Sequence, residues 1–317
     1  MIDFRYHIVS IVSIFLALAV GIVLGAGPLQ GQLGNTLTKQ VSDLRQQKSD
    51  LQAELRDANQ TIDDTNAFIK AMTPQLVNDQ LTGRSVTVVR LPGSADSVAQ
   101  GLGELLTEAG AQVNGTVKVT DAWTDPAKKV FRETLAKSLA PLARTQEPAG
   151  ASTDQDLADV LARGLVVSDD SAADKTDSAA TTALQGLKAA GLIDYSGDGP
   201  KTSTMAVVLA GPPTPDEPSQ RQQAEASSYA AIARALDAES QGTVAASDPA
   251  STQPGGTLQA IRSDKQAAAA VSTVDTADQP MGLITTILAL HEQLDGKAGQ
   301  YGVGIGAQKI APTTTVP

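Results

Sequence analysis

The first pattern met along the chain is an unbroken apolar run. From Ile8 to Leu29, IVSIVSIFLALAVGIVLGAGPL, no charged residue occurs, and at ~1.5 Å per residue such a run crosses a ~30 Å hydrocarbon layer as a helix. The pattern predicts an uncleaved transmembrane helix over 8–29. A cleaved secretory signal is the competing reading, but its apolar core spans only ~7–15 residues, and Pro28 follows the small-residue site Gly25-Ala26-Gly27. Ser13, Ala17, Gly21 and Gly25 recur every four residues. A G-x-x-x-G face of this kind lets two backbones approach closely, so Ala17, Gly21 and Gly25 are candidate dimerisation residues. Small residues are also common in membrane helices without any such role.

A second period follows. Val41, Lys48, Leu55, Ile62, Ile69 and Leu76 fall at a positions of a heptad, with Leu37, Leu44, Leu51, Ala58, Thr65 and Met72 at d. Only Lys48 and Thr65 are polar, and the flanks are Gln, Asp, Arg and Lys. So narrow a stripe predicts a coiled-coil stalk over 33–76, because a helix packed on a domain shows a wider apolar face. Leu37, Val41, Leu44, Leu51, Leu55, Ile62 and Ile69 are its candidate dimerisation residues, and Pro74 is expected to end it. The alternative is a helix folded back on its own domain.

After Gly83 the period changes again, to short β-branched runs alternating with helical stretches. Strands are predicted at Ser85–Leu91, Val113–Val119, Met205–Ala210, Thr243–Ala246 and Ala270–Val274. Helices are predicted at Ser94–Ala109, Pro126–Leu142, Asp154–Leu165, Leu184–Ala190, Ser219–Glu239, Leu258–Ser263 and Met281–Leu294. Gly110 is expected at the C′ position of the first, and Thr153 or Asp154 as N-cap of the third. Alternation of this kind implies an α/β domain over 83–310, a mainly parallel sheet covered by helices on both faces. Two polar inserts, 145–153 and 168–182, read as surface loops, and the tail 311–317 as disordered.

Composition narrows the classes. With 24 Lys and Arg against 35 Asp and Glu, the formal charge is −11, which argues against nucleic acid as a partner. Four Phe, four Tyr and one Trp are too few rings for the girdles of an outer-membrane barrel. The absence of Cys removes disulfides, thiolate metal sites and Cys nucleophiles. Arg5 on one side of the anchor faces Lys39, Arg45 and Lys48 on the other, so charge barely sets orientation. A short leader, 1–7, before a long remainder suggests a cytoplasmic leader and an extracytoplasmic domain.

Catalytic patterns are sparse. His291 is the one histidine outside the leader, with no G-x-S-x-G elbow to serve, and on the helix ILALHEQL it reads as structural. No phosphate-binding G-K-S/T run occurs, and Gly302-Val-Gly304-Ile-Gly306 has the wrong spacing for a dinucleotide fingerprint. Asp275 and Asp278 lie just beyond a predicted parallel strand, where open sheets bind ligands. They are the candidate ligand site, against the plainer reading that Asp275 orders the loop and Asp278 caps the next helix. Copper wants Cys or Met sulfur as Cu(I) and imidazole as Cu(II). Four scattered Met and two distant His predict no tight copper site, no metal site, no cofactor and no enzymatic activity.

The opening MIDFRYHIVSIVSIFLALAVGIVLGAGPL, the segment PQLVNDQLTGRSVTVV and the closing TVDTADQPMG with QYGVG together resemble the actinobacterial copper-transporter family MctB, over nearly the whole chain. The Asp3-Phe4-Arg5-Tyr6-His7 preface is its most specific part. The resemblance implies a role in copper ion transport or homeostasis. SteB-like relatives imply another role, that of a single-pass envelope protein working with a cytoplasmic SteA-like partner at the division septum and influencing a peptidoglycan hydrolase. The sequence thus predicts a single-pass membrane protein, homodimeric through anchor and coil.

Overall fold

The computed structural model describes residues 4–26, 28–143, 152–175 and 177–313, the side chains of 26 and 28–36 excepted. The predicted insert 145–153 falls almost wholly outside these residues, as do the start of the leader and the end of the tail. The chain divides into two compact units, Met1–Thr65 and Asn66–Pro317.

The first unit is helical. Helix α1 (Phe4–Ala26) starts four residues before the predicted anchor and so includes Arg5 and His7, and Phe4–Gly25 is long and apolar enough to cross a membrane. Helix α2 spans Pro28–Val77. It runs three residues past Pro74, where the sequence predicted a stop. Proline removes one donor from the ladder, and the neighbouring Thr73 Oγ1 donates back to the Ile69 carbonyl at 2.9 Å.

The last turns of α2 belong to the second unit, and there the heptad gives way to a different stripe. Ile69 packs against a core cluster that contains Val77, fully buried, and Thr73 is 8% exposed. Residues at i, i+4 and i+8 share one helix face. The expected a residue Ile69 is thus turned to its own domain, while Leu37, Val41, Leu44, Leu51, Leu55 and Ile62 are all exposed.

The second unit holds strands β1 (Ser85–Arg90), β2 (Gln112–Val119), β3 (Ile193–Asp194), β4 (Met205–Leu209), β5 (Thr243–Ala246), β6 (Ser272–Val274) and β7 (Gln300–Tyr301). They form one open sheet in the order β3-β2-β1-β4-β5-β6-β7. All neighbours are parallel except β2 and β3. The connecting helices are α3 (Asp96–Glu108), α4 (Lys129–Leu139), α5 (Thr153–Leu165), α6 (Ser178–Ala189), α7 (Ser219–Glu239), α8 (Thr257–Ser263), α9 (Lys265–Ala270) and α10 (Pro280–Leu294).

Strand alternation divides the core between two faces. Val89, Val117, Val119, Ala206, Val208 and Ala245 face a cluster built with α5, α6 and α7. Val86, Val88, Val207, Leu209, Val244 and Val274 face one built with α3, α10 and the end of α2. Burial on both faces explains why the strands read as continuous apolar runs. Trp123, the one tryptophan, is fully buried and donates Nε1–H to Ser228 Oγ at 3.1 Å.

Several local expectations are corrected. The insert 168–182 is not all loop, since α6 begins at Ser178, capped by Asp177 accepting from the Ala180 amide at 2.6 Å. The N-cap of α5 is Ser152, accepting from the Gln155 amide, rather than Thr153 or Asp154. Helix α9 occupies the start of the predicted last strand because Asp264 caps it through the Gln266 and Ala267 amides. The edge strand β7, two residues long, carries too little pattern to be seen in the sequence.

Candidate functional site

Two places at the carboxyl ends of the strands combine polar groups with an irregular backbone. The first contains Asp275, immediately after β6. Its carboxylate is fully buried and pairs with Arg262 of α8, Oδ2 accepting from Nη1 at 2.8 Å, with the arginine side chain 4% exposed. Oδ1 accepts from the Val303 amide at 2.8 Å and Oδ2 from the Gly304 amide at 3.0 Å. The same guanidinium donates to Thr273 Oγ1, the Tyr301 carbonyl and the Ile305 carbonyl.

The glycine run is explained by this clamp. A Cβ on Gly302, which has φ of +122°, would fall on the Asp275 carboxylate, and one on Gly304 would lie 2.5 Å from Thr252 Oγ1. The run whose spacing is wrong for a dinucleotide fingerprint is a backbone nest for an internal carboxylate. Asp275 therefore has its acceptor capacity filled from within, as a loop-ordering group.

Asp278 does not join it. It stays at the surface in a groove of about 570 Å³ lined also by Lys70, Glu104, Glu108 and Leu283. Its pKa is raised, first by partial burial of the carboxyl and then by the negative charges of Asp248 and Asp275. It is not the cap of α10 either, since the N-cap is Gln279, with no side-chain capping bond. His291 Nδ1 lies 2.8 Å from the Gln80 carbonyl oxygen, tying α10 to the turn before β1. Among the described residues no group of three or more His, Asp or Glu side chains is placed to hold a metal ion.

The second place is the topological switch point. The chain leaves β1 toward β2 on one side and has β4 on the other, so the loops after these strands part and open a crevice. It is a cleft of about 390 Å³ lined from the ends of four strands: Leu91 and Pro92 after β1, Asp121 and Thr124 after β2, Gly211 to Thr214 after β4, and Gly255 and Thr257 after β5. One face of α7 completes it with Arg221, Gln222, Glu225 and Tyr229.

The floor is a close backbone crossing, in which a Cβ on Gly211 would come within 2.5 Å of the Gly93 carbonyl carbon. Gln222 Nε2 donates to the Thr214 carbonyl at 2.8 Å and fixes the β4–α7 loop to the helix. Arg221 Nε lies 3.0 Å from Glu225 Oε1 and 3.5 Å from Glu217 Oε2. Tyr229 is 8% exposed with its hydroxyl 3.3 Å from Thr124 Oγ1. Burial, and after it the charges of Glu225 and Asp121, push its pKa up to about 12. The sequence showed α7 and the strands, but a switch point exists only once the strand order is known, and no local signal carries that order.

One membrane-length helix among the described residues, joined to an open, mostly parallel sheet that is covered on both faces and cleft at its switch point, defines a membrane-linked α/β protein. The sequence from residue 1 to 312 matches the family described as copper transport outer membrane protein, MctB, and the chain belongs to that family. It is similar to proteins named copper transporter MctB from Mycobacterium leprae (strain TN), 33% identical with both chains covered completely, and from Mycobacterium tuberculosis (strain ATCC 25618 / H37Rv), 30% identical with 98% of this chain and 99% of the relative covered. The resemblance read from the leader and the two internal motifs thus holds along the whole chain. The sheet here is open, with β3 and β7 at its edges, unlike a membrane barrel, whose strands close on themselves.

Proposed function

We propose that this chain is a single-pass cell-envelope protein of copper homeostasis whose head, residues 83–310, lies outside the cytoplasm. It acts as a non-enzymatic, homodimeric tether and binding scaffold rather than as a pore or a copper chelator. The observation that carries this reading is the exposed heptad stripe of α2, Leu37 through Ile62, beside an anchor whose small-residue face at Ala17, Gly21 and Gly25 is also exposed. Exposed apolar stripes with this period pair with another helix. The seam proposed here stops before Ile69, which its own domain occupies.

The donor set supports indirect copper handling. His291 is engaged with a backbone carbonyl, and Met205 is fully buried in the sheet. Titration of the full chain in neutral detergent with Cu(I) and Cu(II) against competing chelators is expected to show no tight stoichiometric site. Tight binding at one ion per chain would overturn the scaffold reading in favour of direct copper transfer.

The dimer has a positional test, made simple by the absence of native Cys. Leu44→Cys and Leu51→Cys, at d, should cross-link in membranes, whereas Gln46→Cys, on the outer face of the same helix, should not. Equal cross-linking at all three positions, or monomer at all three, would remove the seam.

The same exposed stripe favours a second reading, in which α2 pairs with a helix of a different protein. That fits the septal role implied by SteB-like relatives, in which α2 meets its partner helix outside the cytoplasm, a SteA-like partner meets the leader inside the cell, and a peptidoglycan hydrolase is the regulated enzyme. A deletion strain separates the two. Lost copper tolerance with normal cell separation supports copper homeostasis, and chained cells with normal copper content support the septal scaffold.

A further inference from the structure

The switch-point cleft takes no part in the proposed dimer or in copper handling, yet its lining is chemically selective. Its volume, about 390 Å³, lies in the ~300–1,000 Å³ range of small-molecule sites. Anions are poorly served there. Phosphate sites at strand ends rely on convergent backbone N–H groups and an open helix N-terminus. Here Pro92, Pro212 and Pro213 line the exits of β1 and β4 without donors, and Glu217 sits just before the first turn of α7, where an anion would dock.

The charge balance points the other way. Asp121, Glu217 and Glu225 line the cleft against one guanidinium, Arg221. Both glutamates reach that guanidinium through Nε, and Glu225 contributes only Oε1 to the hydrogen bond. The negative field is felt by both basic and phenolic neighbours: the Arg221 pKa is raised by Glu225 and Glu217, and the Tyr229 hydroxyl is held protonated in part by Glu225 and Asp121. Between these carboxylates run apolar surfaces, Leu91, Pro212, Ala226 and the buried ring of Tyr229.

We propose that this cleft binds a small organic cation of the alkylamine or alkyl-diamine class, a primary ammonium group at the end of a short apolar chain. Asp121 and Glu225 hold the ammonium, and the chain lies along Tyr229 and the Pro212-Pro213 wall. Arg221 acts as an internal competitor that occupies part of the carboxylate field while the cleft is empty.

The competitor role makes the test one of sign. The full chain in neutral detergent is titrated calorimetrically with 1,5-diaminopentane, and in parallel with ATP and inorganic phosphate. Saturable binding of the diamine, and none of the anions, is expected. Glu225→Gln should weaken it about tenfold, the scale of one hydrogen bond to a charged group, while Arg221→Met should tighten it. Asp121→Asn, at an exposed position, provides a second weakening variant if Glu225→Gln alters the unfolding curve. The inference is overturned if the diamine does not bind saturably, if ATP or phosphate binds as well as the diamine, or if Glu225→Gln and Arg221→Met shift affinity in the same direction.

Discussion

Asp275→Asn should destabilise the second unit by about 3–5 kcal/mol, the range for breaking one partner of a buried ion pair. The expectation rests on what the carboxylate holds. Both oxygens accept backbone amides, from Val303 and Gly304, and Oδ2 also accepts from Arg262 Nη1. An asparagine could satisfy the Val303 amide, but its NH2 group would then confront two donors. Arg262 would remain buried, with hydrogen bonds to Thr273, Tyr301 and Ile305 but no counter-charge. Because that guanidinium ties α8 to β6 and to the segment after β7, its loss of registry should loosen this edge of the sheet first. Urea unfolding of wild type and variant checks the magnitude, and hydrogen exchange across 299–306 checks the location. A variant as stable as wild type would show that Asp275 is not the anchor of this loop. It would reopen the reading of Asp275 as a chemically active group, since a functional carboxylate can be neutralised without unfolding its scaffold.

This clamp also shows what the sequence made legible. Asp275 stands out because an acid beyond a β-branched run marks the carboxyl end of a parallel strand. The run Gly302-Val-Gly304-Ile-Gly306 stands out because so many glycines need a backbone reason. Each is visible on its own in the sequence, and the contact between them is not. Arg262, on a helix the sequence did predict, carries no pattern that distinguishes it from a solvent-facing arginine. The pairing of positions 262, 275 and 304 is a product of the β5–β6–β7 neighbourhood, and sheet order is a long-range property.

The cleft is likewise a product of sheet order. Its residues come from the ends of β1, β2, β4 and β5, which the sequence located within a residue or two. Only the insertion of β4 beside β1 brings Pro92 and Pro212 to one crevice. The helical stripe of α2 is the opposite case, because its information is local. The heptad from Leu37 to Ile62 is visible along the helix itself, whereas the packing of Ile69 on its own domain is a tertiary contact that no local period carries. Ser152 and Asp177 show a smaller failure of the same type, where capping chemistry within a polar segment was hidden by its loop-like composition.

Asp237→Asn should stabilise the protein at high pH and leave it unchanged at low pH. Asp237 is half-buried in the last turn of α7, and burial pushes its pKa from 3.8 up to about 7, opposed only by the Thr243 amide donating to Oδ1 at 3.2 Å. The carboxyl end of a helix also disfavours a negative charge. Arg234, Asp159, Glu239, Gln155 and Gln266 line the same recess. A folded-state pKa above the unfolded value means that the native state binds the proton more tightly. The associated stability is full below about pH 3.8 and is lost as pH rises through about 7. At ~1.4 kcal/mol per pKa unit, reduced for the partial exposure of the carboxyl, the loss amounts to roughly 2–4 kcal/mol. Asparagine keeps an acceptor for the Thr243 amide and never ionises, so it escapes that loss. Other titrating groups are common to both proteins and cancel in the comparison. Unfolding free energies measured by urea at pH 4 and pH 8 should coincide at the lower pH and diverge at the higher, with the variant above wild type. Parallel curves across that interval would mean that the Asp237 carboxylate is solvated as freely in the folded protein as in the unfolded chain.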